Sequence, residues 1–370
     1  MVKVKDRIKK FWLEINKSKT KPDAFLVLNP KNIFYLTQFK GEGILLSTFE
    51  QNYLITDSRY TEQAKQEAQQ CVIITQSLKE KDAQNISLAK LLAELRIKEL
   101  GFESNFLKVD GYHKYQQIMP QIKLFPFANI IETIRIIKDQ SEITLLKRAA
   151  HIANSAFLKT ISHLSAGISE QSLVNQLNYN MRNEGASKES FDLIVTSGER
   201  GTLIHGEPSD KRIETGELII IDFGCIYGMY NSDCTRTICL GEPNHKQKEI
   251  FNIIKEVQIE TLGKIREGVL CSELDNFARS RITEKGYGDY FLHSLGHGVG
   301  LDIHELPRLN FNDHTILETG MVITIEPGIY VPGIGGVRIE DTVVVTETGY
   351  LNLTLLPKEL SPSFYVENKL

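Results

Sequence analysis

A chain of 370 residues, 41% hydrophobic and 24% charged, is long enough for two domains, and its composition excludes disordered, fibrous and membrane-spanning classes. Its 43 basic residues face 47 acidic ones, a net charge of −4, so bulk electrostatics point away from nucleic acid as a partner. The 5 cysteines, Cys71, Cys225, Cys234, Cys239 and Cys271, form no C-x-x-C pair, which speaks against a disulfide framework or a structural zinc and for a reducing, cytoplasmic location.

The opening MVKVKDRIKKFWLEI has no uninterrupted apolar stretch and reads as neither a signal peptide nor a membrane span. Val4, Ile8, Phe11, Trp12 and Ile15 recur at helical spacing, with Lys3, Lys9 and Lys10 among the polar positions. A helix lying on a membrane would show this pattern, but a helix docked on its own domain shows it more often and is the expectation. From Asp23 to Leu124 the β-like runs AFLVL, GILLS, NYLIT and CVIIT alternate with helical RYTEQAKQEAQ and SLAKLLAELR, which predicts an α/β domain. A division between 130 and 131 is expected, where IETIRIIKDQSEITLLKRAAHIANSAF leads into a long helix with Asp139 and Glu142 spaced as a capping box.

The remainder, 131–370, reads as two similar passes. Helices near 140–163 and 170–184 lead into strands, then helices near 245–266 and 272–285 lead into strands again; layout alone supports a repeat. In the first pass the apolar run Leu218 to Ile221 ends in Asp222, and a two-residue hairpin centred on Tyr227-Gly228 would put Asp222 directly opposite Asp233. The second pass ends in MVITIEPGIYVPGIGGVRIEDTVVV, where a turn centred on Gly333 would put Glu326 opposite Glu340.

Buried carboxylates facing one another need a counter-charge, since desolvating each alone costs several kcal/mol. Arg236 and Arg338 are too few for four acids, which leaves divalent cations. His297 in HSLGHGVG, between Gly296 and Gly298, adds a nitrogen donor where backbone can approach closely. Oxygen donors with one imidazole suit manganese, cobalt, zinc or iron, and two such ions would cancel four carboxylates.

The order D-(x10)-D, H-x-x-G-H-G, E-P-G and G-V-R-I-E-D resembles the M24 metallopeptidase family of prolidases, Xaa-Pro aminopeptidases and methionine aminopeptidases. The likeness runs from Glu142 to Val345, and DAFLVLNPKNIFYLTQF with ITDSRYTEQA resembles the creatinase-type N-domain of the proline-directed members. The resemblance implies an α+β protein, with a pita-bread catalytic domain over 131–370 behind a smaller creatinase-like α/β domain over 1–130. It implies two divalent ions per subunit, manganese first among the candidates, and a homodimer. Asp222, Asp233, His297, Glu326 and Glu340 are the implied metal ligands, with Asp233 and Glu340 bridging and Glu326 also managing the nucleophile's proton. His205 in LIHGEPSD, His293 in HSLGH and His304 in LDIHE match positions implied in transition-state contacts and proton handling, and Thr235 matches a supporting hydroxyl. One departure is Ile204, where the family pattern has proline before the histidine.

The implied reaction is hydrolysis of Xaa-Pro bonds in short proline-containing peptides by a hydroxide held between the metals. Because the proline nitrogen carries no N–H in the peptide, an apolar pocket must recognise the ring, and Phe191, Tyr227 and Tyr330 flank the ligand segments. A dipeptidase must also hold a free carboxylate. Arg308 in IHELPRLN resembles the placement of such an arginine in some prolidases, and Arg338 is a second candidate. The expectation leans to Xaa-Pro dipeptidase. Xaa-Pro aminopeptidase is the alternative, with a creatinase-like amidinohydrolase or a non-catalytic binding protein of the same fold further off.

Overall fold

The computed structural model describes residues 4–77 and 82–367; Lys3, on the polar face read for the first helix, lies outside them. The chain forms two compact units, Met1–Arg135 and Ile136–Leu370.

The first unit is built on a six-stranded mixed sheet in the order Cys71–Gln76, Asn52–Asp57, Ile44–Thr48, Ala24–Val27, Glu99–Glu103, Lys123–Phe127. Four of these strands coincide with the apolar runs of the sequence. The other two, ELGFE and KLFPF, carry no such run and form because each pairs in parallel with a neighbour already in the sheet. The first helix, Val4–Lys17, is docked on its own unit. Phe11 and Ile15 are fully buried, the Phe11 ring meets Phe25 edge-on at 5.1 Å, and Trp12 Nε1 donates to Ser47 Oγ at 2.9 Å. Among the described residues no helix is long and apolar enough to cross a membrane.

In the second unit Gln140–Ile161 begins at the expected capping box, with Asp139 accepting from Ser141 and Glu142 N–H while Glu142 reaches back to Asp139 N–H. This helix and Glu170–Asn183 cover a three-stranded sheet ordered Cys234–Cys239, Leu218–Phe223, Ile194–Ser197. Their core joins Ala156, Phe157 and Leu177 to Ile219, Ile221 and Phe223, with Phe157 and Phe223 stacked at 5.0 Å. His245–Leu262 and Cys271–Glu284 cover a five-stranded sheet ordered Glu305–Leu309, Gly296–Gly298, Val322–Ile325, Asp341–Val345, Tyr350–Asn352. There a separate core joins Ile250, Ile254 and Leu274 to Ile323, Ile325 and Val343.

The backbone carries the residue-level repeat that the side chains conceal. Gly167 N–H donates to Ile213 O and Ile213 N–H to Ile168 O; Gly268 N–H donates to Leu317 O and Leu317 N–H to Val269 O. After the second helix of each pair Ala186 N–H reaches Met181 O, and Tyr287 N–H reaches Ile282 O in the same way. Gly185 and Gly286 supply the positive φ that each of these helix ends requires.

One register differs from expectation. The hairpin after Asp222 turns at Gly228-Met229, not Tyr227-Gly228, so Tyr227 pairs with Tyr230 and Asp222 faces Thr235 instead of Asp233. Both turn residues have positive φ, 57° and 77°, as a type I′ turn requires, and methionine at the second position gave no sign of it. Because the shift is two residues, every side chain keeps its face, and Asp233 remains beside Asp222 as a diagonal neighbour. The turn centred on Gly333 is as expected. Gly328 pairs with Arg338 and Ile325 with Asp341, which leaves Glu326 across from Glu340 between the two ladders.

A methionine with φ of 77° is strained relative to glycine. Met229→Gly is therefore expected to raise the unfolding free energy by about 1 kcal/mol, seen as a higher midpoint in urea; a lower midpoint would contradict the strain.

Candidate metal centre

Strand alternation sorts the charges of the second unit onto two faces. Asp222, Thr235, Arg338 and Glu340 share one face, while Arg236 and Asp341 take the other. Arg236, fully buried, donates through Nη2 to Asp341 Oδ1 at 2.8 Å and through Nη1 to the carbonyls of Glu340 at 2.6 Å and Thr235 at 2.9 Å. Lys358 Nζ also meets Asp341 Oδ2 at 2.6 Å. Arg236 thus holds the strands from behind and contributes no side-chain contact to the acids in front.

On the front face, Asp233, His297 and Glu340 bring donor atoms within 4.8 Å of one another. His297 Nε2 lies 3.5 Å from Asp233 Oδ2 and 3.4 Å from Glu326 Oε1. The other ring nitrogen, Nδ1, is 3.1 Å from Gly298 O, a pure acceptor, so Nδ1 carries the proton and Nε2 turns its lone pair to the carboxylates. The glycines on either side are obligatory: a Cβ at Gly296 would collide with Thr324 O, and one at Gly298 with Leu306 O. Thr324, which nothing in the sequence singled out, accepts from His297 N–H at 3.0 Å and donates to Glu326 Oε1 at 3.2 Å. Only the pairing of two distant strands brings it there.

Arg338 Nη2 donates to Asp222 Oδ2 at 2.6 Å, its Nε to Thr235 Oγ1 at 3.2 Å, and Thr235 Oγ1 in turn to Glu340 Oε2 at 2.8 Å. Asp222 Oδ1 and Glu340 Oε1 are left over, buried and with no hydrogen-bond partner among the described residues. Burial, followed by neighbouring carboxylates, pushes Asp233 and Glu340 well above the usual carboxylate range. Burial also raises Glu326 to about 8, with Asp222 adding to the shift and Arg338 opposing it. His297 is pushed down to about 4, first by burial and then by His304 beside it. Orphaned carboxylate oxygens, a neutral imidazole with its lone pair inward, and acids that cannot ionise together are what a divalent cation resolves, so the chemistry of this donor set fits such an ion, with Asp233, His297 and Glu340 close enough to share one.

The other expected residues occupy distinct settings. His293 has both nitrogens engaged: Nδ1 donates to Ser294 O at 2.8 Å, and Nε2 lies 2.9 Å from Tyr330 OH, which itself accepts from Arg338 Nη1 at 2.8 Å. Its pKa falls to about 3, chiefly through burial and then Arg338. His205 and His304 are exposed, and the His304 ring stands 4.4 Å from that of His297. Arg308 pairs with His297 across the strands and is exposed, with no ion pair among the described residues. Arg338, in contrast, is buried and committed to Asp222, Thr235, Tyr330 and Ile204 O. Of the three aromatics, Tyr330 stands at the cluster, Phe191 packs against the first core, and the Tyr227 ring lies under Arg148 at 5.9 Å.

Fold and donor set together define a metal-dependent hydrolase built on two mirrored helix-covered sheets. The profile of metallopeptidase family M24 matches residues 144–347, and that of the creatinase/prolidase N-terminal domain matches residues 7–137. The chain belongs to metallopeptidase family M24, with a creatinase-type N-terminal domain followed in sequence by the pita-bread catalytic domain. It is 40% identical over 348 residues to an Xaa-Pro dipeptidase of Pyrococcus furiosus, covering 91% of this chain and 95% of that one. Among solved structures it resembles an Xaa-Pro dipeptidase from Bacillus anthracis at a TM-score of 0.93 and 42% identity, covering 97% of this chain and 99% of that one. It resembles an X-Pro aminopeptidase from Thermotoga maritima at 0.87 and 39%, covering 92% and 97%.

The raised carboxyls set a pH dependence for the metal-free protein. Where a folded pKa exceeds the unfolded one, the native state holds a proton the unfolded chain has released, and stability falls as pH rises between the two values. For Glu326 that interval runs from 4.5 to about 8. Below pH 6.5 the depressed His293 and His297 act in the opposite sense, so the decline is expected between pH 6.5 and pH 8, where chelator-treated protein should melt at progressively lower temperature and added divalent metal should flatten the fall. A melting point that climbs across this interval without metal would refute it.

Proposed function

We propose that the protein is an Xaa-Pro dipeptidase whose Asp222, Asp233, His297, Glu326 and Glu340 hold two divalent ions, manganese first among the candidates. Ions bound there supply an activated water and polarise the scissile carbonyl. Glu326, between His297 and Thr324, takes the proton released as water attacks and passes it to the departing proline nitrogen. His205 and His304 meet the negative charge that develops on the carbonyl oxygen. Thr235 keeps Glu340 oriented, and Arg338 holds one oxygen of Asp222 so that the other faces inward.

The observation that carries the dipeptidase reading is Arg308, an exposed cation opposite His297 with no ion pair among the described residues. A free substrate carboxylate is its natural partner. The likeness to the Thermotoga maritima X-Pro aminopeptidase supports the second reading, in which longer peptides are trimmed and Arg308 is solvated. The free thiols fit a cytoplasmic setting, and a homodimer is the assembly to check by light scattering.

Manganese-loaded protein assayed on Xaa-Pro dipeptides and Xaa-Pro-Xaa tripeptides decides between the two. Preference for dipeptides is expected, and Arg308→Ala should raise the dipeptide KM by about 10- to 100-fold, the loss of a charge-assisted pair. Faster tripeptide cleavage, indifferent to Arg308, would hand the assignment to the aminopeptidase. Asp233→Asn should abolish turnover and lower the metal content measured by elemental analysis while the metal-free protein stays folded; full retained activity would remove Asp233 from the site.

A further inference from the structure

The loop that carries His205 is fastened at both ends by one carboxylate. Glu170, at the start of the helix Glu170–Asn183, is fully buried. Its Oε1 accepts from the N–H of Ser197 at 2.8 Å and from its hydroxyl at 3.0 Å. Its Oε2 accepts from the N–H of Ser209 at 3.1 Å, from its hydroxyl at 2.8 Å, and from Arg200 Nε at 3.1 Å. Arg200 continues across the loop, where Nη2 donates to Glu207 O at 2.6 Å. On the other side of His205, Arg338 Nη1 donates to Ile204 O at 3.3 Å.

Helix capping does not require this carboxylate, because Ser169 already accepts from Ser172 N–H at 3.1 Å. The His205 ring is exposed and no hydrogen bond fixes it among the described residues, so its backbone decides where the imidazole stands. That backbone also lacks the rigidity proline would give at position 204, where isoleucine stands.

We infer that Glu170 is a positioning residue for His205: by gathering Ser197, Arg200 and Ser209 on one buried carboxylate it sets the path of the loop, an inference that takes the work of His205 from the function proposed above.

Glu170→Gln tests it, because an amide in either orientation points its NH2 at the N–H of Ser197 or of Ser209. The manganese-loaded variant is expected to keep its metal content and its KM for an Xaa-Pro dipeptide while kcat falls, by up to about 10²-fold, as displaced catalytic groups do. In a His205→Ala background the same substitution should cost nothing further. Equal losses in both backgrounds, or a lower melting point with unchanged kcat per folded molecule, would overturn the inference. Should Glu170→Gln not fold, Arg200→Gln removes one brace and should show a smaller loss with the same dependence on His205. Histidine-ring NMR of the zinc-loaded protein reads the loop without substrate, the His205 signal being the one absent from His205→Ala. Glu170→Gln or Arg200→Gln should shift or broaden that signal, and an unmoved signal refutes the inference. A moved signal in a protein that cleaves no Xaa-Pro bond refutes only the substrate.

Discussion

Mutual repulsion among Asp222, Asp233, Glu326 and Glu340 is the constraint that the second unit is arranged around. Packed on one face at the meeting of two sheets, four carboxylates repel one another unless positive charge lies between them. The surroundings are built for that condition. Arg338 neutralises one edge through Asp222, Thr235 ties Glu340 into the same network, and His297 adds a neutral donor whose lone pair has nowhere else to go. Behind the strands, Arg236 and Asp341 satisfy each other and grip the Glu340 carbonyl, so the backbone under the cluster does not depend on what the cluster binds.

The mirrored halves explain how one chain delivers matched acids. Each half presents two helices, a turn held by equivalent backbone hydrogen bonds, and a hairpin that ends in acids. Their cores are separate, one around Phe157 and Phe223 and the other around Ile254 and Ile323, so each half can hold its own pair of carboxylates rigidly. The exposed histidines lie on irregular segments outside the sheets, where position comes from braces and not from ladders. This is the usual division between a rigid frame and the loops that carry chemistry.

Much of this was legible in the sequence. The helices, the capping box at Asp139 and the turn at Gly333 follow from apolar periodicity and from residue types that permit few conformations. The metal-capable residues could be chosen because four acids and a histidine on buried strand ends are compatible with little besides bound cations. What stayed hidden depended on contacts between distant strands or on conformations without a residue signature. Thr324 and Tyr330 acquire their partners only through sheet pairing, Met229 adopts a positive φ unannounced, and Glu170 looked like any acid at the start of a helix. The backbone repeat is a further case, since hydrogen bonds persist after side chains have diverged.

The two hairpins differ in parity. Asp222 and Asp233 are separated by an odd number of positions and joined through a two-residue turn, whereas Glu326 and Glu340 are an even number apart and fold about a central glycine. Each combination leaves both acids on one side of the sheet, and each would fail with the other's turn. Evolution can therefore lengthen or shorten either hairpin by pairs of residues, but a single insertion or deletion would swing one carboxylate into the hydrophobic layer beneath unless a bulge arose with it.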